Sequence, residues 1–202
     1  MTLRAGVRFH NGAPLTPEDV RFTFQLLREL NTPWQGRAQR IRDITLQGQQ
    51  VTFLMESPDA LSPLWSLGIV PQLAYESDPA GFGLRPVGCG PYQVKRIGPE
   101  KLELHAFRGF FRGAPRLERL TVVMVPDLDR LGERVEQQEL PVAVLPYDEA
   151  WYERLRDLGQ WQVTPVPANA PTLLHVQTPG LLERDPTRPD IHWNAHLWYI
   201  QE

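Results

Sequence analysis

His192 and His196 stand four residues apart, a spacing that would set two imidazoles on one helical face as metal ligands. No acidic residue or cysteine is placed to complete a ligand set, so the pair reads as solvent-facing or capping histidines and no metal is expected. Ser62, Ser66 and Ser77 lack the Gly-x-Ser-x-Gly setting of a nucleophile elbow. Gly88-Cys89-Gly90 is no phosphate loop, because no Gly-Lys-(Ser/Thr) follows it. Between two glycines the Cys89 thiol either approaches a ligand or serves as a small turn residue. Acidic residues are scattered, as on a solvated surface. Without a catalytic constellation the chain is expected to be no enzyme and to need no cofactor.

Binding chemistry is better supplied. Trp34, Trp65, Tyr75, Phe82 and Tyr92 fall in or beside expected loops, where aromatic side chains either wall a ligand cleft or plug a core. Trp65 and Tyr75 flank a segment rich in proline and glycine and are the expected ligand-facing pair. Arg85 could meet a ligand carboxylate through a bidentate pair, with an exposed surface arginine as the competing reading.

The elements that must position these residues follow from pattern. Thr2 to Phe9 alternates as a strand, with Leu3, Ala5, Val7 and Phe9 on one side. Asn11-Gly12 is a turn dipeptide; Thr16 then stands as an N-cap, Pro17 at the first helical position, and Glu18 and Asp19 in the first turn. Val20, Phe24 and Leu27 carry that helix to about Leu30. Ile41 to Leu46 and Gln50 to Glu56 read as paired strands, Leu61 to Leu67 as a short helix capped by Ser57 or Asp59, and Ile69 to Tyr75 as an extended piece broken by Pro71. Ser77 to Pro86 is a loop. Tyr92 to Ile97 and Lys101 to Phe107 form a hairpin across Gly98-Pro99. Leu120 to Val125, almost wholly apolar, predicts a central strand buried on both faces. Helices over Asp127 to Gln138 and Tyr147 to Leu158 alternate with strands over Leu140 to Leu145, Trp161 to Val166 and Thr172 to Gln177.

The 202 residues allow one medium domain or two small lobes. A net charge of -3 leaves no electrostatic footprint for nucleic acid. One cysteine excludes an internal disulfide framework and leaves the redox compartment open. No apolar run approaches the roughly 18 residues of a membrane span, and no secretory signal is visible. The 20 prolines are spread along the chain and punctuate short elements rather than form a linker.

Three segments carry a family resemblance. The run from Val7 to Val20, with His10-Asn11-Gly12 and Leu15-Thr16-Pro17-Glu18-Asp19-Val20, closely resembles the signature of the family 5 extracellular solute-binding proteins, the oligopeptide, dipeptide and nickel receptors of ABC importers. Pro86-Val87-Gly88-Cys89-Gly90-Pro91-Tyr92 looks like the family's Pro-(Ile/Val)-Gly-Thr-Gly-Pro-Tyr segment, which makes Cys89 a turn residue. Ala106 to Pro115 matches the place where the family writes an aromatic pair, Gly, Lys and Pro, followed by an apolar strand ending in Pro126-Asp127. Near the C-terminus Asp190-Ile191, Leu197 and Tyr199 fit the helix that opens the family's second lobe, but Asn194 replaces the usual Arg and Gln177 the usual Asn.

The resemblance implies an α/β fold: a periplasmic-binding-protein-like class II lobe with mixed sheet and flanking helices, the second lobe largely missing. Residues 1–178 are expected to form the first lobe and residues 179–202 the start of the crossover into a truncated second one. It implies a non-catalytic domain that binds a small solute or short peptide and works with an ABC importer permease at the periplasmic or extracellular face of a bacterium. The wording around Ala106-Phe107 and Phe110-Phe111 is equally similar to the effector domain of bacterial regulators of sugar-phosphate stress. In that case the domain is cytoplasmic, with any DNA contact outside this chain.

Overall fold

The turn forms as its residues dictate. In the computed structural model, which describes residues 1–57, 64, 67–140, 142–146, 148–166 and 173–177, Gly12 takes φ +86 and its N–H donates to the Phe9 carbonyl at 2.9 Å. Only a residue without Cβ enters that conformation at low cost. Ala13 N–H donates to Asn11 Oδ1 at 3.1 Å, and Phe9 N–H reaches Ala13 O at 2.8 Å.

Helix α1 (Pro17–Glu29) follows, with Thr16 as N-cap and a reciprocal capping box between Thr16 and Asp19. Its stripe is buried as the spacing requires: Val20 and Phe24 join Ile41, Val51 and Leu64 in one core, with Leu27, Trp34, Phe53 and Met55 packed around them. Phe24 meets Phe53 edge-on at 4.9 Å. A short α2 (Gln35–Ala38) leads into β1 (Ile41–Gln47), which pairs antiparallel with β2 (Gln50–Met55). The expected strand from Thr2 to Phe9 is a correction: only the bridges Thr2↔Gln50 and Arg8↔Pro14 form. Gly6 at φ +77 turns the chain between them, which side-chain alternation does not register.

The expected helix over Leu61–Leu67 lies mostly outside the described residues, although Leu64 is described and buried. Beyond it the extended piece expected from Ile69 to Tyr75 is instead helical at its end, as α3 (Gln72–Ser77). Strands β3 (Tyr92–Ile97), β4 (Lys101–Ala106) and β5 (Arg119–Val123) form an antiparallel sheet in that order. Among the described residues β5 is therefore an edge strand, not a central one, and Val122, Val123 and Met124 are 47%, 36% and 46% exposed. An unbroken apolar run speaks for its own side chains and not for how many strands flank it.

Met1–Met124 forms one compact unit and Val125–Glu202 a second. In the second, α4 (Leu128–Glu136) and α5 (Glu149–Asp157) accompany β6 (Val142–Pro146), β7 (Gln162–Val166) and β8 (Leu173–Gln177) in the antiparallel order β6-β8-β7. Asp127 and Asp148 cap the two helices by accepting from Arg130 N–H and Trp151 N–H. The core holds Val135, Ala143, Leu155 and Trp161, with Leu131, Trp151 and Tyr152 against it. Gly132 admits the Trp151 ring directly onto the α4 backbone, where a Cβ would overlap it.

Two outcomes follow for urea unfolding. Thr16→Ala should lose about 1 kcal/mol with the cap, and Asp19→Ala more, because Asp19 also bonds outside its own helix. Gly132→Ala gains about 1 kcal/mol of helix propensity yet should lower the unfolding midpoint, since the overlap with Trp151 displaces a core ring. A raised midpoint would contradict that packing.

Candidate functional site

Two buried polar residues of α1 set up the surface that carries the expected ligand contacts. Asp19 Oδ2 accepts from Thr16 N–H at 2.9 Å and Thr16 Oγ1–H at 2.8 Å. Its Oδ1 accepts from Gln72 N–H at 2.9 Å and so caps the first turn of α3. One turn along α1, Thr23 Oγ1 accepts from Val70 N–H at 2.9 Å and donates to Asp19 O at 2.7 Å. These bonds fix the entry into α3. Sequence reasoning assigned Asp19 a helix charge and Thr23 nothing; the available signal was a polar pair at i, i+4 beside the apolar stripe.

Tyr75 projects from α3 into a small aromatic group, 5.7 Å from Phe22 and 5.4 Å from Phe82 by ring centroids, and is half-buried. The chain then turns through Asp78, which accepts from Gly81 N–H at 3.0 Å and pairs with Arg85 at 2.9 Å. The Tyr75 and Phe82 rings thus meet, and Arg85 follows in the same loop with its N–H donating to Phe82 O at 3.2 Å. The Arg85 side chain is 81% exposed, so its bond to Asp78 contributes little stability, and the rest of its planar fork faces solvent. Trp65 lies outside the described residues, as do His192 and His196. Trp34 fills the core of the first unit. Tyr92 is half-buried and its hydroxyl donates to Leu117 O at 3.1 Å. Among the described residues no group of three or more His, Cys, Asp and Glu could hold a metal.

His10 ties three loops together. Its Nδ1 accepts from Gly88 N–H at 3.2 Å and its Nε2–H donates to Gly90 O at 3.0 Å. Its backbone N–H donates to Gly88 O at 2.7 Å. The Phe107 ring stands edge-on to the imidazole at 5.1 Å, and Phe107 N–H donates to Pro91 O at 2.7 Å. Only a neutral ring protonated on Nε2 satisfies both side-chain bonds, and burial lowers the His10 pKa below its ordinary 6.5 against the opposing pull of Gly90. Burial raises the Cys89 thiol, which suits a turn residue better than a nucleophile.

Sheets flanked by helices, with no membrane-crossing helix among the described residues, give a periplasmic-binding-protein-like fold. The solved structure of MoaA from A. tumefaciens R10 in complex with mannopinic acid superposes with a TM-score of 0.75 at 25% identity, over 83% of this chain and 36% of that one. The chain belongs to the bacterial extracellular solute-binding proteins, family 5: the sequence model of that family's middle region matches residues 1–177. It is 32% identical over 130 residues to the HTH-type transcriptional regulator SgrR of Salmonella choleraesuis, covering 62% of this chain and 22% of the regulator. It is 26% identical over 174 residues to the "Probable di/tripeptide-binding protein 5" of Pseudomonas aeruginosa, covering 71% of this chain and 33% of that protein. The chain therefore spans a third or less of the length of these curated relatives.

A pH dependence follows from His10. With its folded pKa lowered, the unfolded chain binds more protons just below pH 6.5, so stability is full above that pH and falls as the solution is acidified. Unfolding midpoints at pH 7.5 and pH 5 should differ less in His10→Gln than in the parent. Equal differences would remove His10 from the titration.

Proposed function

We propose that this chain supplies one lobe of a solute receptor that delivers peptides or related solutes to an ABC importer and catalyses no reaction. The observation that carries the reading is the family match over residues 1–177; beside it stand the contact between the Tyr75 and Phe82 rings and the open guanidinium of Arg85 three residues further along the same loop. Residues 1–178 belong to this lobe and the remainder begins the crossover to the second. An arginine with free donors suits a peptide carboxylate, and Tyr75, with Trp65 from the preceding segment, offers aromatic wall. Solute held between two lobes would stabilise the closed form through its greater affinity for that form. The setting is then periplasmic or extracellular.

A second reading has its own support in the 32% identity to SgrR: a cytoplasmic effector-sensing domain of a transcription regulator. Both readings need a solute site and differ in what adjoins the domain. A secretory or lipoprotein signal in the intact gene product favours transport, and a DNA-binding domain favours regulation.

A lone lobe leaves its solute wet on one side, so calorimetry against di- to pentapeptides should give a Kd no tighter than about 1 mM, roughly 4 kcal/mol. Arg85→Ala and Tyr75→Ala should weaken that binding further. Micromolar affinity that survives both substitutions and Trp65→Ala would overturn the site.

A further inference from the structure

The sheet β3-β4-β5 has two unlike faces. Register sets Val94 opposite Leu104 and Leu104 opposite Leu120 on one of them. On the other, Gln93 stands opposite His105 and His105 opposite Arg119, a row of polar side chains with neighbouring Cβ atoms about 5 Å apart. Lys95, from the irregular stretch of β3, and Arg108 and Glu118, from the segments beyond β4 and before β5, close around this row. Together they line a recess of about 350 Å³, at the lower end of the ~300–1,000 Å³ of small-molecule sites.

Cations outnumber acids here. Glu118 is taken by Arg108 at 2.9 Å. Further along the same face Glu103 is taken by Lys101 at 2.9 Å, with Arg96 its cross-strand partner. Lys101, then Arg96 and His105, hold the Glu103 carboxyl below its ordinary pKa. The side chains of Lys95, His105 and Arg119 have no hydrogen-bond or ion-pair partner among the described residues. On a chain of net charge -3, a recess lined by Lys95, Arg108 and Arg119 against Glu118 alone carries a local field of the opposite sign.

We propose that this recess binds a small oxyanion of at least two negative charges, a phosphate or a polycarboxylate. Arg119 offers a planar fork that matches two oxygens of either group. Lys95 adds a point charge, the Gln93 amide and His105 add donors, and Glu118, already neutralised by Arg108, forms the far wall. The site is separate from the Tyr75–Arg85 group and does not rest on the function proposed for it.

The test titrates the intact chain with inorganic phosphate, citrate or chloride at matched ionic strength, reading the His105 imidazole resonances (assigned by their loss in His105→Gln) and calorimetric heat. Phosphate or citrate should shift His105 saturably where chloride does not, and the anion that saturates identifies the class. Lys95→Gln with Arg119→Gln should weaken binding about tenfold, and Lys95→Gln alone by less. Arg21→Gln with Arg42→Gln, which removes the same charge from exposed positions elsewhere, should leave it unchanged. No saturable shift with either anion, or equal weakening by the two double variants, would overturn the proposal.

Discussion

The Asp19 carboxylate is the constraint on which the candidate site depends. It is buried and both of its oxygens are used. One closes the capping box with Thr16, and the other satisfies the first N–H of α3. A buried charge is tolerable only when its lone pairs are met by donors, and here the donors come from two helix starts. Satisfying the carboxylate thus requires α3 to begin at Gln72, beside α1. Tyr75 then reaches Phe22, and the loop after α3 returns Phe82 to the same group. The position of Tyr75 follows from one side chain that does not belong to the aromatic group.

His10 plays a similar part for the other motifs. The turn containing it, the Gly88-Cys89-Gly90 loop and the Phe107 segment are far apart in the chain, yet the imidazole bonds or packs against all three. The imidazole packs directly over Gly88, where even a Cβ would sit at an ordinary contact distance of 3.6 Å from His10 Cε1. The segments that carry the family resemblance therefore converge on one structural joint. That convergence gives their specific wording a structural reason.

What could be read from sequence was what local chemistry decides. Thr16, Pro17 and Asp19 mark the start of α1, and Val20, Phe24 and Leu27 its buried face. The hairpins β1-β2 and β3-β4 follow from alternation around a turn, the first through Gly48 at φ +55. What could not be read depended on distant partners. The donor of α3's first turn is answered 53 residues away, so no local cap announces that helix. The exposure of β5 is a property of sheet order, and the break after Arg4 belongs to one glycine. Tyr75 and Arg85 were legible by their chemistry alone, and Tyr75 stands in α3 rather than in a loop. Asp19 and Thr23, which hold their scaffold, were hidden because polar residues on a helix usually face water.

The contrast between scaffold and surface bears on what a single lobe can do. The bonds that position α3 are short, partly or wholly buried and shared among several groups, so they resist competition from water. The groups that would greet a solute are the reverse: the Arg85 guanidinium is open to solvent, and its only partner among the described residues is the half-exposed Asp78. Hydrogen bonds made at such a surface exchange almost evenly with water. They gain strength only when a second surface excludes it. A lobe of this construction is preorganised in its geometry and unfinished in its dielectric, and on the proposed reading the partner lobe contributes chiefly the removal of water from contacts this chain already holds in place.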